Sequence, residues 1–291
     1  MEFAISILLS GVSVGGQYAL IAIGYTMVYG ILRLINFAHG DVFMVAGLVM
    51  IYLSASLPLA VAIPLMLLLT VVLGFLIERV AYKPLRSAPR MSVMISAIGV
   101  SYLLQNTATY VTGAQPMNYP TIPLLSDTVQ IAGTPTKLVT LITPVLVLIL
   151  VLALTQLINR TKIGMAMRAV AKDFETSQLM GIKINHVISM TFVIGSALAA
   201  IGSMLYFTNY QYITPTAGAM PGLKAFVAAV FGGIGSIPGA VIGAFLIGIC
   251  ENIIKGVGLS VFSDAFTFAL LILVLVAKPT GLFGEKATDK V

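Results

Sequence analysis

Side chains able to do chemistry are sparse in this chain, and one stretch groups several of them. Residues 168–182 read Arg168-Ala-Val-Ala-Lys-Asp173-Phe-Glu175-Thr-Ser-Gln-Leu-Met-Gly181-Ile, a charged island between long apolar runs. The whole segment 159–186 is too polar for lipid, and its Ala, Met, Lys, Glu and Gln content favours short helices. Asp173 has the chemistry of an N-cap, and Gly181 can supply the left-handed residue that stops a helix. Such a stop lets the chain reverse and re-enter an apolar run at 186–189, leaving Phe174–Met180 as a rigid knob. Arg168, Asp173, Glu175 and Gly181 are therefore the residues expected to dock a soluble partner.

A second set of polar residues sits at the edges of apolar runs or inside them. Asn36, His39 and Asp41 precede or open one such run, where they either satisfy open helix ends or line and gate a path. Gln17, Gln105 and Asn106 have the same two readings, path lining or a bond to a neighbouring helix. Glu251 lies four residues before Lys255, the spacing of a helical ion pair. Gln17, Asn36, His39, Asp41, Asn106 and Glu251 are the candidates for a translocation path. His39 and His186 belong to different segments and the single cysteine, Cys250, is embedded, so no metal site is expected. The sequence holds no G-x-x-x-x-G-K-[ST] motif and no nucleophile–base constellation, so neither a cofactor nor catalysis is expected. Any energy source has to come from another polypeptide.

The elements that position these residues follow from composition. Of 291 residues, 59% are hydrophobic and 9% charged, far more apolar surface than a soluble core of this size needs. Nearly charge-free runs cover Ile5–Leu32, Val42–Ala55, Leu57–Ile77, Met91–Thr112, Leu138–Ile158, Val187–Asn209, Ala240–Cys250 and Leu259–Ala277. Most reach the roughly 20 residues a helix needs to cross about 30 Å of hydrocarbon. The runs are continuous rather than alternating, which selects helices over a barrel. The first run is long, lacks a basic leader, and is read as a retained helix. The expectation is a single all-α domain, residues 1–291, a polytopic membrane helix bundle of about eight full spans.

Lys and Arg then set the orientation, since short loops rich in them stay cytoplasmic. Arg33, the 79–90 loop, the 160–183 island and the C-terminal Lys278, Lys286 and Lys290 hold 13 of the 16 basic residues. The loops at 113–137, 209–224 and 255–259 contribute only Lys137, Lys224 and Lys255. The net charge of +6 thus reflects topology, and no nucleic-acid partner is expected. An external N-terminus with a cytoplasmic C-terminus requires an odd number of crossings, so a ninth, shorter element is expected. Leu223–Phe231, interrupted by Gly232-Gly-Ile-Gly-Ser-Ile-Pro-Gly239, is the candidate half-helix, and irregular backbone at membrane depth belongs inside the bundle. It is the only clear break in the apolar runs. The proline-rich 113–137 loop is expected to form an external cap without long helices.

Three blocks of this chain carry a resemblance. The Glu175-to-Gly181 spacing resembles the Glu-Ala-Ala-x-x-x-Gly docking loop of ABC importer permeases, with Thr176 and Ser177 in place of the alanines. Leu32-Arg-Leu-Ile-Asn-Phe-Ala-His-Gly-Asp41, Gly164-Met-Ala-Met-Arg-Ala-Val-Ala171 and Ala225-Phe-Val-Ala-Ala-Val-Phe-Gly-Gly-Ile-Gly-Ser-Ile-Pro-Gly-Ala240 are similar, in order, to blocks of the permeases of branched-chain amino acid ABC importers. The resemblance implies a multi-pass protein of the prokaryotic inner membrane. It also implies two ATP-binding cassette subunits that bind the ATP, a second similar permease subunit, and an extracytoplasmic substrate-binding protein that selects the ligand. A urea or amide importer permease is the nearest relative with the same pattern. A self-contained channel or secondary transporter is the competing class, against which stand the single helix break and the lack of an acidic proton relay.

Overall fold

The computed structural model describes residues 2–86, 88–131 and 133–284. Lys286 and Lys290 of the expected cytoplasmic tail lie outside the described residues. In chain order the elements are α1 (Glu2–Leu32), α2 (His39–Ser54), α3 (Leu59–Ile77), α4 (Arg90–Thr112), β1 (Met117–Asn118), α5 (Pro123–Ser126), β2 (Thr128–Ile131), β3 (Thr134–Lys137), α6 (Leu138–Arg160), α7 (Lys162–Lys172), α8 (Phe174–Leu179), α9 (Ile184–Tyr210), β4 (Tyr212–Ile213), α10 (Ala219–Gly232), α11 (Ile237–Gly256) and α12 (Ser263–Ala277). A π turn, Glu78–Tyr82, and a 3-10 turn, Lys83–Leu85, extend α3. The strands form two short antiparallel ribbons, β1 with β4 and β2 with β3, and with α5 they make the ordered cap expected of the 113–137 segment.

Six segments are long and apolar enough to cross a membrane: α1, α3 with its turns, α6, α9, α11 and α12. Two of the eight expected full spans fall outside that set. Helix α4 has 23 residues but is interrupted by Ser96, Ser101, Gln105, Asn106 and three threonines, and α2 has only 16. The half-helix expected at Leu223–Phe231 is present and longer, the 14 residues of α10.

At the centre lies α1, with Ala19–Ile23 fully buried. Its N-terminal half packs directly on α11, because Gly11 and Gly15 meet Gly248; a Cβ on Gly15 would stand 2.7 Å from Phe245 Cα. This is the close backbone approach that small residues permit in lipid.

The two short helices share a layout that sequence had placed in only one of them. His39, at the start of α2, packs on Gly24, eight residues before α1 ends, or about 12 Å along the axis. Residues 33–38 therefore turn back into the bundle before α2 begins. At the start of α10, Gly218 and Gly222 lie against Gly40, where a Cβ on Gly218 would stand 2.1 Å from the Gly40 carbonyl oxygen. From this shared level α2 runs toward the cap, where Tyr52 Oη donates to Val111 O at 3.4 Å. Helix α10 runs the other way, to a glycine turn at 233–235 packed against Phe283 and Gly284. The break is thus paired and oppositely directed, which removes the single-break argument against a carrier-like fold.

Candidate functional site

Two regions bring the sequence-selected residues into use. At the end of the bundle away from the cap, the 159–186 island forms α7 and α8. Thr161 caps α7 by accepting from Gly164 N at 3.1 Å, and Gly164, Met167 and Val170 seat the helix on the bundle. Arg168 stays exposed, donating to Asn159 O at 3.4 Å. Asp173 caps α8, its Oδ1 accepting from Thr176 N at 3.1 Å. The stop at Gly181 is as expected: φ is +82°, Ile182 N donates to Ser177 O at 3.1 Å and Gly181 N to Gln178 O at 3.0 Å. That pair of bonds is a Schellman cap. The result is a one-and-a-half-turn knob whose tip is apolar, with Leu179 87% and Met180 79% exposed beside an exposed Glu175. Large apolar side chains held at that exposure by a double cap fit a partner's cleft better than water.

Behind the knob runs a chain of polar contacts that sequence reading missed. In the first turns of α9, Ser189 reaches the π turn after α3 and Asn185 reaches Arg86 beyond it. Ser189 Oγ donates to Glu78 Oε2 at 2.7 Å, and Arg86 bonds both Glu78 Oε1 and Asn185 Oδ1. Four residues on, Tyr82 Oη donates to Asn36 Oδ1 at 2.8 Å, within the 33–38 segment that leads into α2. The signal for a π turn is absent from hydropathy, which reads α3 as one apolar run; π bulges are common at functional positions.

At the second region, the start of α2 meets the start of α10. Asn36, His39 and Asp41 do not cap α2 with their side chains. His39 is wedged among Gly24, Gly195 and the edge of Tyr25, ring centroids 5.1 Å apart. Asp41, 2% exposed, accepts from Ser101 Oγ at 2.5 Å and Gln105 Nε2 at 3.0 Å. Ser101 and Gln105 are four apart on α4 and so share one face. Asp41, Ser101 and Gln105 border a cavity of about 360 Å³ that also touches Tyr25, Gly222 and Phe226, while Asn36 and His39 are not among its walls.

The remaining path candidates lie apart from this cavity. Gln17 is fully buried in α1, its amide without a hydrogen-bonding partner among the described residues. Asn106 points outward and donates to Tyr102 O of its own helix at 2.7 Å. Glu251 is buried on α11 and accepts from Lys255 Nζ at 2.5 Å, Lys224 Nζ at 2.7 Å and Tyr18 Oη at 3.0 Å. Lys224, expected in a loop, is instead buried within α10 and also pairs with Asp264 at 2.6 Å.

Against this geometry stand the resemblances of the whole chain. Residues 7–275 match the family model described as branched-chain amino acid transport system / permease component. The high-affinity branched-chain amino acid permease BraD of Pseudomonas aeruginosa is 41% identical over 98% of this chain and 97% of its own length. LivH of Escherichia coli K12, of the same description, is 40% identical over 97% and 96%. The ribose import permease RbsC of Haemophilus influenzae is 26% identical over 89% and 80%. A solved inward-facing metal-chelate type ABC transporter superimposes with a TM-score of 0.51 at 16% identity, covering 94% of this chain and 87% of that one, a likeness of fold alone. A match that runs from the first helix into the last, carried by relatives of equal length, places this chain in the branched-chain amino acid transport permease family.

Proposed function

We propose that this chain is the membrane-spanning permease subunit of a binding-protein-dependent ABC importer for leucine, isoleucine and valine, supplying half of the translocation pathway. Two ATP-binding cassette subunits, a second similar permease and an extracytoplasmic binding protein complete the machine. The observation that carries the reading is near-full-length identity to BraD and LivH in a chain that presents a capped, apolar-tipped knob. The importer sits in a prokaryotic inner membrane with the N-terminus external and the C-terminus cytoplasmic, and the basic asymmetry supports that orientation. If 33–54 and 211–232 each make one traverse, they join α1, α3, α4, α6, α9, α11 and α12 for nine crossings, the odd number this orientation needs.

In this reading Arg168, Asp173, Glu175 and Gly181 form the ATPase-docking surface. Motion of α8 passes through the tight Gly181 stop to the start of α9, then by Glu78, Arg86 and Ser189 to the π turn, and by Tyr82 and Asn36 to the start of α2. A self-contained carrier is the second reading, since such proteins also use paired broken helices.

One experiment separates them. Gly181→Val places a β-branched residue at φ +82°, where space is open but the backbone costs roughly 1 kcal/mol, so the bundle still folds. Glu175→Arg reverses charge on an exposed residue. Both variants are expected at normal membrane abundance, with ATPase association and substrate-stimulated hydrolysis reduced at least ten-fold in the reconstituted complex, while Thr121→Ala on the cap leaves both intact. Full transport and normal association in the two knob variants would favour the carrier.

A further inference from the structure

The cavity where α2 meets α10 contains a carboxylate that the bundle does not neutralise. Asp41 is buried at the middle of the bundle, yet its two partners, Ser101 and Gln105, are neutral. Among the described residues no Lys, Arg or His lies within 4.0 Å of its oxygens in an ion pair. Removing a lone carboxylate from water is costly unless a cation meets it. Each oxygen receives one hydrogen bond and keeps further acceptor capacity, and the cavity lies against it.

The other walls specify what kind of cation fits. Ile98, Leu223 and Phe226 give the cavity an apolar side, and its volume of about 360 Å³ lies in the range of small-molecule sites. A metal ion is disfavoured by a single carboxylate in an apolar wall; an ammonium attached to an aliphatic body suits both surfaces. Asp41 itself occupies the first turn of α2, whereas the start of α10 borders the same space with no acidic residue in its first turn, so the opposite, anionic end of a zwitterion is favoured beside α10.

We propose that Asp41, supported by Ser101 and Gln105, is the station that receives the α-ammonium of an aliphatic amino acid during its passage through the bundle. The station deepens the importer reading and rests on it. Selection of the ligand by a soluble binding protein leaves the membrane passage with a different task, that of holding a zwitterion in hydrocarbon for one transport step. One carboxylate with neutral donors does this without binding so tightly that release fails.

The test uses the complete complex, with its ATPases, second permease and binding protein, in proteoliposomes. Asp41→Asn is nearly isosteric and can still bond Ser101 and Gln105, so assembly and thermal stability are expected to persist while leucine uptake falls at least ten-fold. A second measurement reads occupancy directly: Ala219→Cys, at the cavity wall, on a Cys250→Ser background is labelled by a thiol reagent with leucine or with 4-methylpentanoate, the same skeleton without its amino group. Leucine is expected to slow labelling at least three-fold and 4-methylpentanoate not at all, with protection lost on adding Asp41→Asn. Wild-type-like uptake by Asp41→Asn, or equal protection by both compounds, overturns the station and leaves the importer intact. Absence of leucine uptake by the wild-type complex instead sinks the importer reading. Should Asp41→Asn fail to assemble, the comparison of the two compounds on the Asp41 background still decides.

Discussion

Glu251 and Asp41 are both buried among the spans, and they are neutralised in opposite ways. Glu251, 1% exposed, lies in a closed network in which Lys224, Lys255 and Tyr18 converge on it and Lys224 continues to Asp264. Those five residues come from α1, α10, α11 and α12, so the network clamps the short helix α10 to its neighbours. Asp41 has only hydroxyl and amide donors and faces a cavity. The contrast locates ligand chemistry in an apolar bundle. A charge whose partners are all supplied by the protein has a structural use; one held by neutral donors beside open space retains capacity for a charged visitor. Glu251 was a path candidate on sequence, and its carboxylate accepts from Tyr18, Lys224 and Lys255 of the protein itself.

The largest expected effect breaks the closed network. Glu251→Gln leaves buried Lys224 and Tyr18 facing a neutral amide, and removing one partner of a buried ion pair costs about 3–5 kcal/mol. Thermal unfolding of the purified protein should show that loss, with Lys224→Met alone close behind. The double variant Glu251→Gln/Lys224→Met should recover part of it, because the uncompensated charge is gone. A Glu251→Gln protein unfolding within 1 kcal/mol of the parent would place Glu251 with Asp41 rather than apart from it.

A smaller loss is expected where the helix starts meet. Gly218→Ala puts a Cβ 2.1 Å from the Gly40 carbonyl oxygen, backbone against backbone, so α10 must shift away from α2. Overpacking of this kind costs about 1–3 kcal/mol. Because the shift also opens the cavity beside Asp41, leucine uptake should fall with stability, whereas Asp41→Asn should lower uptake alone. Unchanged stability and uptake in Gly218→Ala would mean that the contact between the helix starts is not needed.

Much of this arrangement was legible in the sequence, and the illegible part has a common physical origin. Continuous apolar runs mark α1, α3, α6, α9, α11 and α12 because a spanning helix has to be apolar over its whole length. Asp173 and Gly181 declare the knob because capping is local chemistry, carried within a few residues. The sequence reads 32–41 as a break at the end of the first span, and the depth of that break was illegible because residues 33–38 are short and the apolar run resumes at once; depth is set by contact with Gly24, away from any loop signal. Lys224 was assigned to a loop on charge alone, and its partners are 27 and 40 residues downstream. Ser101 and Gln105 stand four apart on α4, a hint of one polar face, but only the fold says that Asp41 is what they meet.

That polar face supplies the smallest and most discriminating effect. Gln105 and Asn106 are chemically alike and adjacent, and sequence offers no reason to separate them. The structure turns Gln105 toward Asp41 and Asn106 outward, where its amide bonds only Tyr102 O in the same helix. Truncation of an exposed side chain with a local bond shifts stability by about 0.5 kcal/mol or less. Asn106→Ala is therefore expected to keep leucine uptake within two-fold of the parent, while Gln105→Ala, which strips a donor from Asp41 and enlarges the cavity, should raise the half-saturating leucine concentration several-fold in the reconstituted complex. Concentration-dependent uptake in the two variants checks this. If Asn106→Ala were as damaging as Gln105→Ala, position along α4 rather than contact with Asp41 would govern function, and the contrast between a satisfied carboxylate and an available one would lose its support.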